Sequence, residues 1–115
     1  MLNGGELDGV RLLGRKTVGL MTINHLPDRT LPFSLPNWPH PGYGFGLGFS
    51  VVMNLAQTQV LESVGNFSWG GAASTRFWVD PKEELIGLLM TQFRRDNYYP
   101  LTPEFKILTY QALVD

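Results

Sequence analysis

The chain has 115 residues, a formal net charge of −1, 17% charged residues and no cysteine. That length suits one domain with a modest core, the charge offers no attraction for a polyanion such as nucleic acid, and the missing thiols exclude a disulfide framework or a thiolate metal site. Its apolar runs fall well short of the roughly 20 residues a membrane helix needs, and Met1 is not followed by the pattern of a secretory leader, so the sequence reads as soluble, with neither a membrane nor a nucleic acid as partner.

Leu2 to Gly5 have the composition of a helix end, since Asn and Gly accept the left-handed cap conformation. Leu7 to Leu13 read as a short extended piece around the Asp8-Gly9 turn signal. Arg15 to Leu26 place Val18, Met21 and His25 at helical spacing and predict a helix. Residues 27–41 carry prolines at 27, 32, 36, 39 and 41. Each lacks an N–H and fixes φ, so this segment is a loop, ordered by Phe33, Leu35 and Trp38.

Residues 43–93 then read as antiparallel strands. In GYGFGLGFSVVMN the glycines at 42, 44, 46 and 48 alternate with bulky residues, so a strand would have one naked face that something approaches closely. Phe67 to Val79 predict a second strand, Asp80-Pro81-Lys82-Glu83 a turn, and Leu85 to Phe93 the hairpin partner. Residues 102–114 predict a closing helix, with Thr102 as cap, Pro103 at the first helical position, Glu104 at the positive dipole end, and Phe105, Leu108 and Ala112 on the apolar face. The class is α+β, an antiparallel sheet of about three strands between N- and C-terminal helices.

Most polar signals have plain structural readings. The glycines at 44, 46 and 48 do not match G-x-G-x-x-G, and no P-loop lysine follows. His25 and His40 lie far apart without a paired carboxylate, so no metal or cofactor site is expected. Glu83 and Glu84 suit a solvated turn, and Arg94, Arg95 and Asp96 a charged strand end. Asn66-Phe67-Ser68 matches a glycosylation sequon and no more. Ser68 and Ser74 have no histidine or lysine beside them in sequence.

The stretch NFSWGGAASTRFWVDP strips the side chains from four successive positions after Trp69 and then resumes bulky residues. Either another backbone or a ligand approaches there. In order along the chain, GELDGVRLLGRKTVGLM, GYGFGLGFSV, FSWGGAASTRFWVDPKEELIGLLMTQ and the closing helix resemble the C-terminal part of the serine hydrolases related to class C β-lactamases. That family also contains carboxylesterases and D-alanyl peptidases. The resemblance implies a partial β-lactamase/transpeptidase-like fold. Trp69-Gly70-Gly71 is similar to the family's third active-site motif in its esterase form, and Ala72 would offer its backbone N–H as one of two oxyanion-hole donors. Side chains no larger than glycine or alanine would let an acyl carbonyl reach the backbone. Trp69 supplies an apolar wall and one N–H where a lysine would supply fixed charge, which favours neutral esters over β-lactams. Tyr43, Phe45 and Trp38 are further candidates for the cleft lining, with core packing as their alternative.

The family's nucleophile and base motifs are missing. None of Ser34, Ser50, Ser63, Ser68 and Ser74 has lysine three residues on, and none of Tyr43, Tyr98, Tyr99 and Tyr110 has asparagine two residues on. Both motifs belong to the part of the family fold that precedes this stretch. The resemblance therefore implies that residues 1–115 form a single C-terminal portion of a larger serine hydrolase domain, inactive without its N-terminal portion. Its substrate in the intact enzyme would be a small ester or lactam. The alternative is a noncatalytic module that associates with itself or a partner through an exposed strand edge.

Overall fold

A computed structural model describes residues 1–35, 38–94 and 98–114, without the side chains of Trp38 and Pro39. Its elements follow the turn chemistry of the chain. Gly4, with φ +60°, closes a turn through its N–H to the Met1 carbonyl (3.0 Å). This turn, not a helix end, leads into a two-residue hairpin of β1 (Glu6–Leu7) and β2 (Val10–Arg11). Asp8 and Gly9 both take positive φ between them, as a two-residue turn matching strand twist requires.

Helix α1 runs from Arg15 to Met21 and buries Val18. It stops well short of Leu26, because the carbonyl of Met21 accepts from the Leu47 N–H and the Asn24 side chain accepts from both Leu26 N–H and Phe45 N–H. Tertiary partners take the groups that further helix would have used. The proline-rich segment contains a 3-10 turn at Asp28–Thr30 and a minimal antiparallel pair, β3 (Ser34–Leu35) and β4 (Trp38–Pro39). Two residues per strand is as much ladder as those prolines permit.

The main sheet has five antiparallel strands in sequential order: β5 (Tyr43–Phe45), β6 (Ser50–Val52), β7 (Phe67–Gly70), β8 (Arg76–Asp80) and β9 (Leu85–Leu89). The predicted class holds. Five strands replace about three because each of two long apolar stretches folds back on itself. The glycine-alternating stretch is a hairpin, and the thing that approaches its naked face is the chain's own exit from α1. A Cβ on Gly44 would stand 2.4 Å from Asn24 Oδ1, and one on Gly46 2.2 Å from the Met21 carbonyl oxygen. Likewise Phe67 to Val79 is two strands joined by a turn at residues 71–75. Between β6 and β7 lies a one-turn helix, α2 (Leu55–Thr58), capped by the Asn54 side chain on the Gln57 N–H.

Register sorts the two faces of the sheet. Val51, Phe67 and Val79 lie in one cross-strand row and form the core of one face, with Leu2, Phe49 and Phe77 packed on it. Ser50, Ser68, Trp78 and Gly87 form the next row, on the opposite face. The Trp78 indole lies across Gly87, where a Cβ would be 2.1 Å from a ring carbon. Helix α3 (Leu101–Gln111) covers this face, with Phe105 edge-on to Trp78 at 5.3 Å.

Helix α3 begins one residue earlier than expected, so Thr102 lies inside its first turn and makes no cap hydrogen bond. Its buried position is Lys106, whereas Leu108 is 66% exposed. The apolar face predicted through Phe105, Leu108 and Ala112 is therefore rotated toward Thr102, Lys106 and Tyr110. The predicted partner of the second hairpin ends at Leu89 instead of Phe93. Arg95 and Asp96 lie outside the described residues, and no described helix is long and apolar enough to cross a membrane.

Candidate active-site edge and cleft

Trp69, Gly70, Gly71 and Ala72 sit where β7 ends and turns into β8. The ladder between β6 and β7 stops at Ser50 opposite Ser68, so among the described residues Trp69 and Gly70 pair with β8 alone, opposite Phe77 and Arg76. One edge of the strand is open from Trp69 onward. Its ring is held edge-on by Phe45 at 5.1 Å and 82°.

The small residues after Trp69 have an internal explanation beside any ligand. A Cβ on Gly70 would stand 2.1 Å from Arg76 Nη1, and one on Gly71 2.6 Å from Thr75 Oγ1. Gly71 to Ser74 form a tight turn in which the Ser74 N–H donates to the Gly71 carbonyl at 3.0 Å. Ala72 is the first central residue of that turn and is exposed. Among the described residues no acceptor engages its N–H. The turn presents one outward, unspent backbone donor at the end of an open strand edge, an arrangement able to receive a carbonyl oxygen or an anion.

A cleft of about 400 Å³ adjoins this edge, between the sheet and the start of α3, lined by His40, Tyr43, Ser50, Ser68, Trp69 and Lys106 among others. Tyr43 borders it, Phe45 packs on Trp69 and is not among its lining residues, and the side chain of Trp38 lies outside what the structure describes. Ser74 also borders the cleft, but its hydroxyl donates to the Phe93 carbonyl at 2.7 Å. Asn66 of the sequon is 1% exposed and spends its amide on the Tyr110 hydroxyl at 2.9 Å, a position no glycosyl transfer reaches in the folded chain. No group of three or more His, Asp or Glu side chains is placed to hold a metal among the described residues.

Sequence reasoning missed the buried polar framework beneath the cleft. Lys106 Nζ pairs with Glu62 Oε2 at 2.6 Å, and Tyr43 donates to the other carboxylate oxygen at 2.5 Å. The ammonium also stands 5.5 Å over the Trp78 ring. Asp80, fully buried, accepts from Tyr110 at 2.7 Å and from the backbone N–H groups of Lys82 and Glu83. Burial and then the neighbouring Glu62 raise the Tyr43 phenol above its ordinary value, and burial followed by the bond to Asp80 does the same for Tyr110. Both therefore remain neutral donors well past the pH at which a free tyrosine ionises. The Asp80-Pro81 turn signal fell at the right place to within a residue, since Asp80 still pairs with Leu85 at the end of β8; nothing local marks Glu62 or Lys106.

His40 is buried, stacked on Phe33 with ring centroids 4.9 Å apart. Burial, and after it the charge of Arg76, lowers its pKa below the usual 6.5. The unfolded chain then binds a proton at this site more readily than the folded one, so this contribution is complete above about pH 6.5 and is lost as pH falls toward the depressed value. Chemical denaturation at pH 7 and pH 5 should show the acid loss, up to roughly 1.4 kcal/mol per pH unit within that window, and His40→Phe should flatten it. A slope unchanged in His40→Phe would assign the acid sensitivity elsewhere.

No family model matches the chain. Protein Rv1367c and the uncharacterised protein MT1414, from two strains of Mycobacterium tuberculosis, are each 39% identical to it over 98 residues, covering 80% of this chain and 24% of theirs. The chain thus spans about a quarter of the length of the curated relatives it matches. Among solved structures, EstCE1, a hydrolase with promiscuous acyltransferase activity, aligns with a TM-score of 0.64 and 22% identity over 82% of this chain and 22% of that one. Simvastatin synthase LovD from Aspergillus terreus aligns with a TM-score of 0.69 and 23% identity, over 92% and 30% respectively. The chain shares with part of these two proteins an α+β fold of the β-lactamase-like kind.

Proposed function

We propose that the chain serves as the C-terminal part of a serine hydrolase that works through an acyl-enzyme on small neutral esters. The observation that carries this reading is the open edge of β7 running into the exposed Ala72 N–H. In the intact enzyme the acyl oxygen would accept from Ala72 and from the nucleophile's own N–H, while Trp69, held by Phe45, walls the site without fixed charge. The likeness to EstCE1 and LovD in fold, and the resemblance of Trp69-Gly70-Gly71 to an esterase motif, support it. The nucleophile and base are expected in a polypeptide N-terminal to the matched stretch, which would also cover the outer edge of β9.

That edge favours one other reading. Beyond β9 no described strand pairs, and Ile86, Leu88 and Met90 are exposed there, so the chain alone has a surface for self-association. One experiment separates the two. The chain, and a polypeptide extended at its N-terminus to the relatives' length, are treated with a fluorophosphonate probe, weighed intact, peptide-mapped and sedimented. The hydrolase reading expects no adduct on the chain and a single adduct on a Ser-x-x-Lys serine of the extended form. Absence of any adduct, with a stable oligomer of the chain, would replace it by the noncatalytic reading. An adduct on Ser68 or Ser74 would overturn both.

A further inference from the structure

The turn that carries Ala72 is fastened from two sides. From below, Arg76 Nη1 donates to the Thr75 carbonyl at 2.9 Å and to the Gly71 carbonyl at 3.3 Å. Its buried side chain crosses Gly70 in the space a Cβ would fill. From the side, the segment leaving β9 holds Ala73: the Phe93 N–H donates to its carbonyl at 3.1 Å, and so does the Thr91 hydroxyl. Ser74, at φ +61°, donates to the Phe93 carbonyl.

The Gly71 carbonyl and the Ala72 N–H belong to one planar peptide unit and point in opposite directions. Whatever holds that carbonyl therefore aims that N–H. Two donors hold it, the Ser74 N–H and the Arg76 guanidinium, and the second is charged. A charged donor on the carbonyl oxygen also polarises the amide and strengthens its N–H as a donor. We infer that Arg76 is a positioning residue for the oxyanion donor: it aims and polarises the Ala72 N–H through the shared Gly71–Ala72 peptide without touching substrate. This rests on the hydrolase reading for its purpose, but the hold itself is a property of the turn.

The test has two arms. In the chain alone, amide hydrogen exchange and the Ala72 amide resonance are compared in wild type, Arg76→Met and Arg76→Lys. Loss of the charge-assisted bonds to Gly71 and Thr75 predicts Ser74 exchange about tenfold faster in Arg76→Met, with a shifted Ala72 resonance, unchanged exchange at Val79 and Ile86, and partial recovery in Arg76→Lys. In the extended, probe-reactive polypeptide, Arg76→Met should lower kcat about tenfold and leave KM near wild type, the signature of an interaction made in the transition state. Unchanged Ser74 and Ala72 amides would overturn the inference, as would equal acceleration across the whole β8–β9 hairpin, which is what a merely structural role gives. If the extended form takes no label, the hydrolase reading fails while the exchange arm still decides whether Arg76 aims the amide.

Discussion

Lys106→Met is expected to destabilise the chain by about 3–5 kcal/mol, the cost of leaving one member of a buried ion pair behind. The pair is deep: the Lys106 side chain is 7% exposed and that of Glu62 is fully buried, with 2.6 Å between Nζ and Oε2. Methionine fills nearly the same volume, so the loss is electrostatic and not a cavity effect. After it, the Glu62 carboxylate keeps only the Tyr43 hydroxyl as a described partner. The double variant Glu62→Gln/Lys106→Met removes both charges and should recover most of the loss, since no uncompensated charge is then left in the interior. Urea denaturation of the four proteins completes the cycle. A single variant within about 1 kcal/mol of wild type would mean that water reaches Glu62. A double variant as unstable as the single one would place the cost in the packing of α3 on Trp78.

Ala72→Pro tests the oxyanion donor with little disturbance to the fold. Proline is favoured at the first central position of a tight turn, where Ala72 stands, and its N–H is engaged by no described acceptor. The substitution deletes the one group assigned to chemistry and keeps the turn. On the hydrolase reading, turnover of a chromogenic acetate ester by the extended polypeptide should fall about 10²–10³-fold, the range seen when a single oxyanion donor is removed. Its melting temperature should stay close to wild type. Ala72→Gly keeps the N–H and should retain most of the activity. Undiminished turnover in Ala72→Pro would remove Ala72 from the site, whatever the rest of the fold does.

Much of the local framework was legible along the chain. Asp8-Gly9 marked a turn and Asp80 to Glu83 a hairpin turn, because few residues accept the backbone conformations such turns demand. The start of α1 followed from apolar spacing, and the presence of α3 from first-turn composition, although α3 runs from Leu101 to Gln111 and not over 102–114. The strand breaks after Phe45 and after Gly70 did not. At the first, glycines continue an alternation that a strand would also show; at the second, a run of four small residues has no periodicity to read; at both, only contacts distinguish a turn from a strand. Those contacts are Met21 and Asn24 against Gly46 and Gly44, and Arg76 against Gly70.

The candidate site divides in the same way. The sequence by itself determined that an apolar wall and a run of minimal side chains stand together at Trp69 to Ala72, and that the chain holds neither Ser-x-x-Lys nor Tyr-x-Asn. Only the tertiary structure decided that Ala72 lies on a clamped turn at an open edge, and that α3 buries a lysine instead of Leu108. A lysine goes inside only where a carboxylate meets it, and its partner Glu62 lies 44 positions earlier in the chain. Local spacing records which faces are apolar; it carries no trace of a charge supplied from a distant loop.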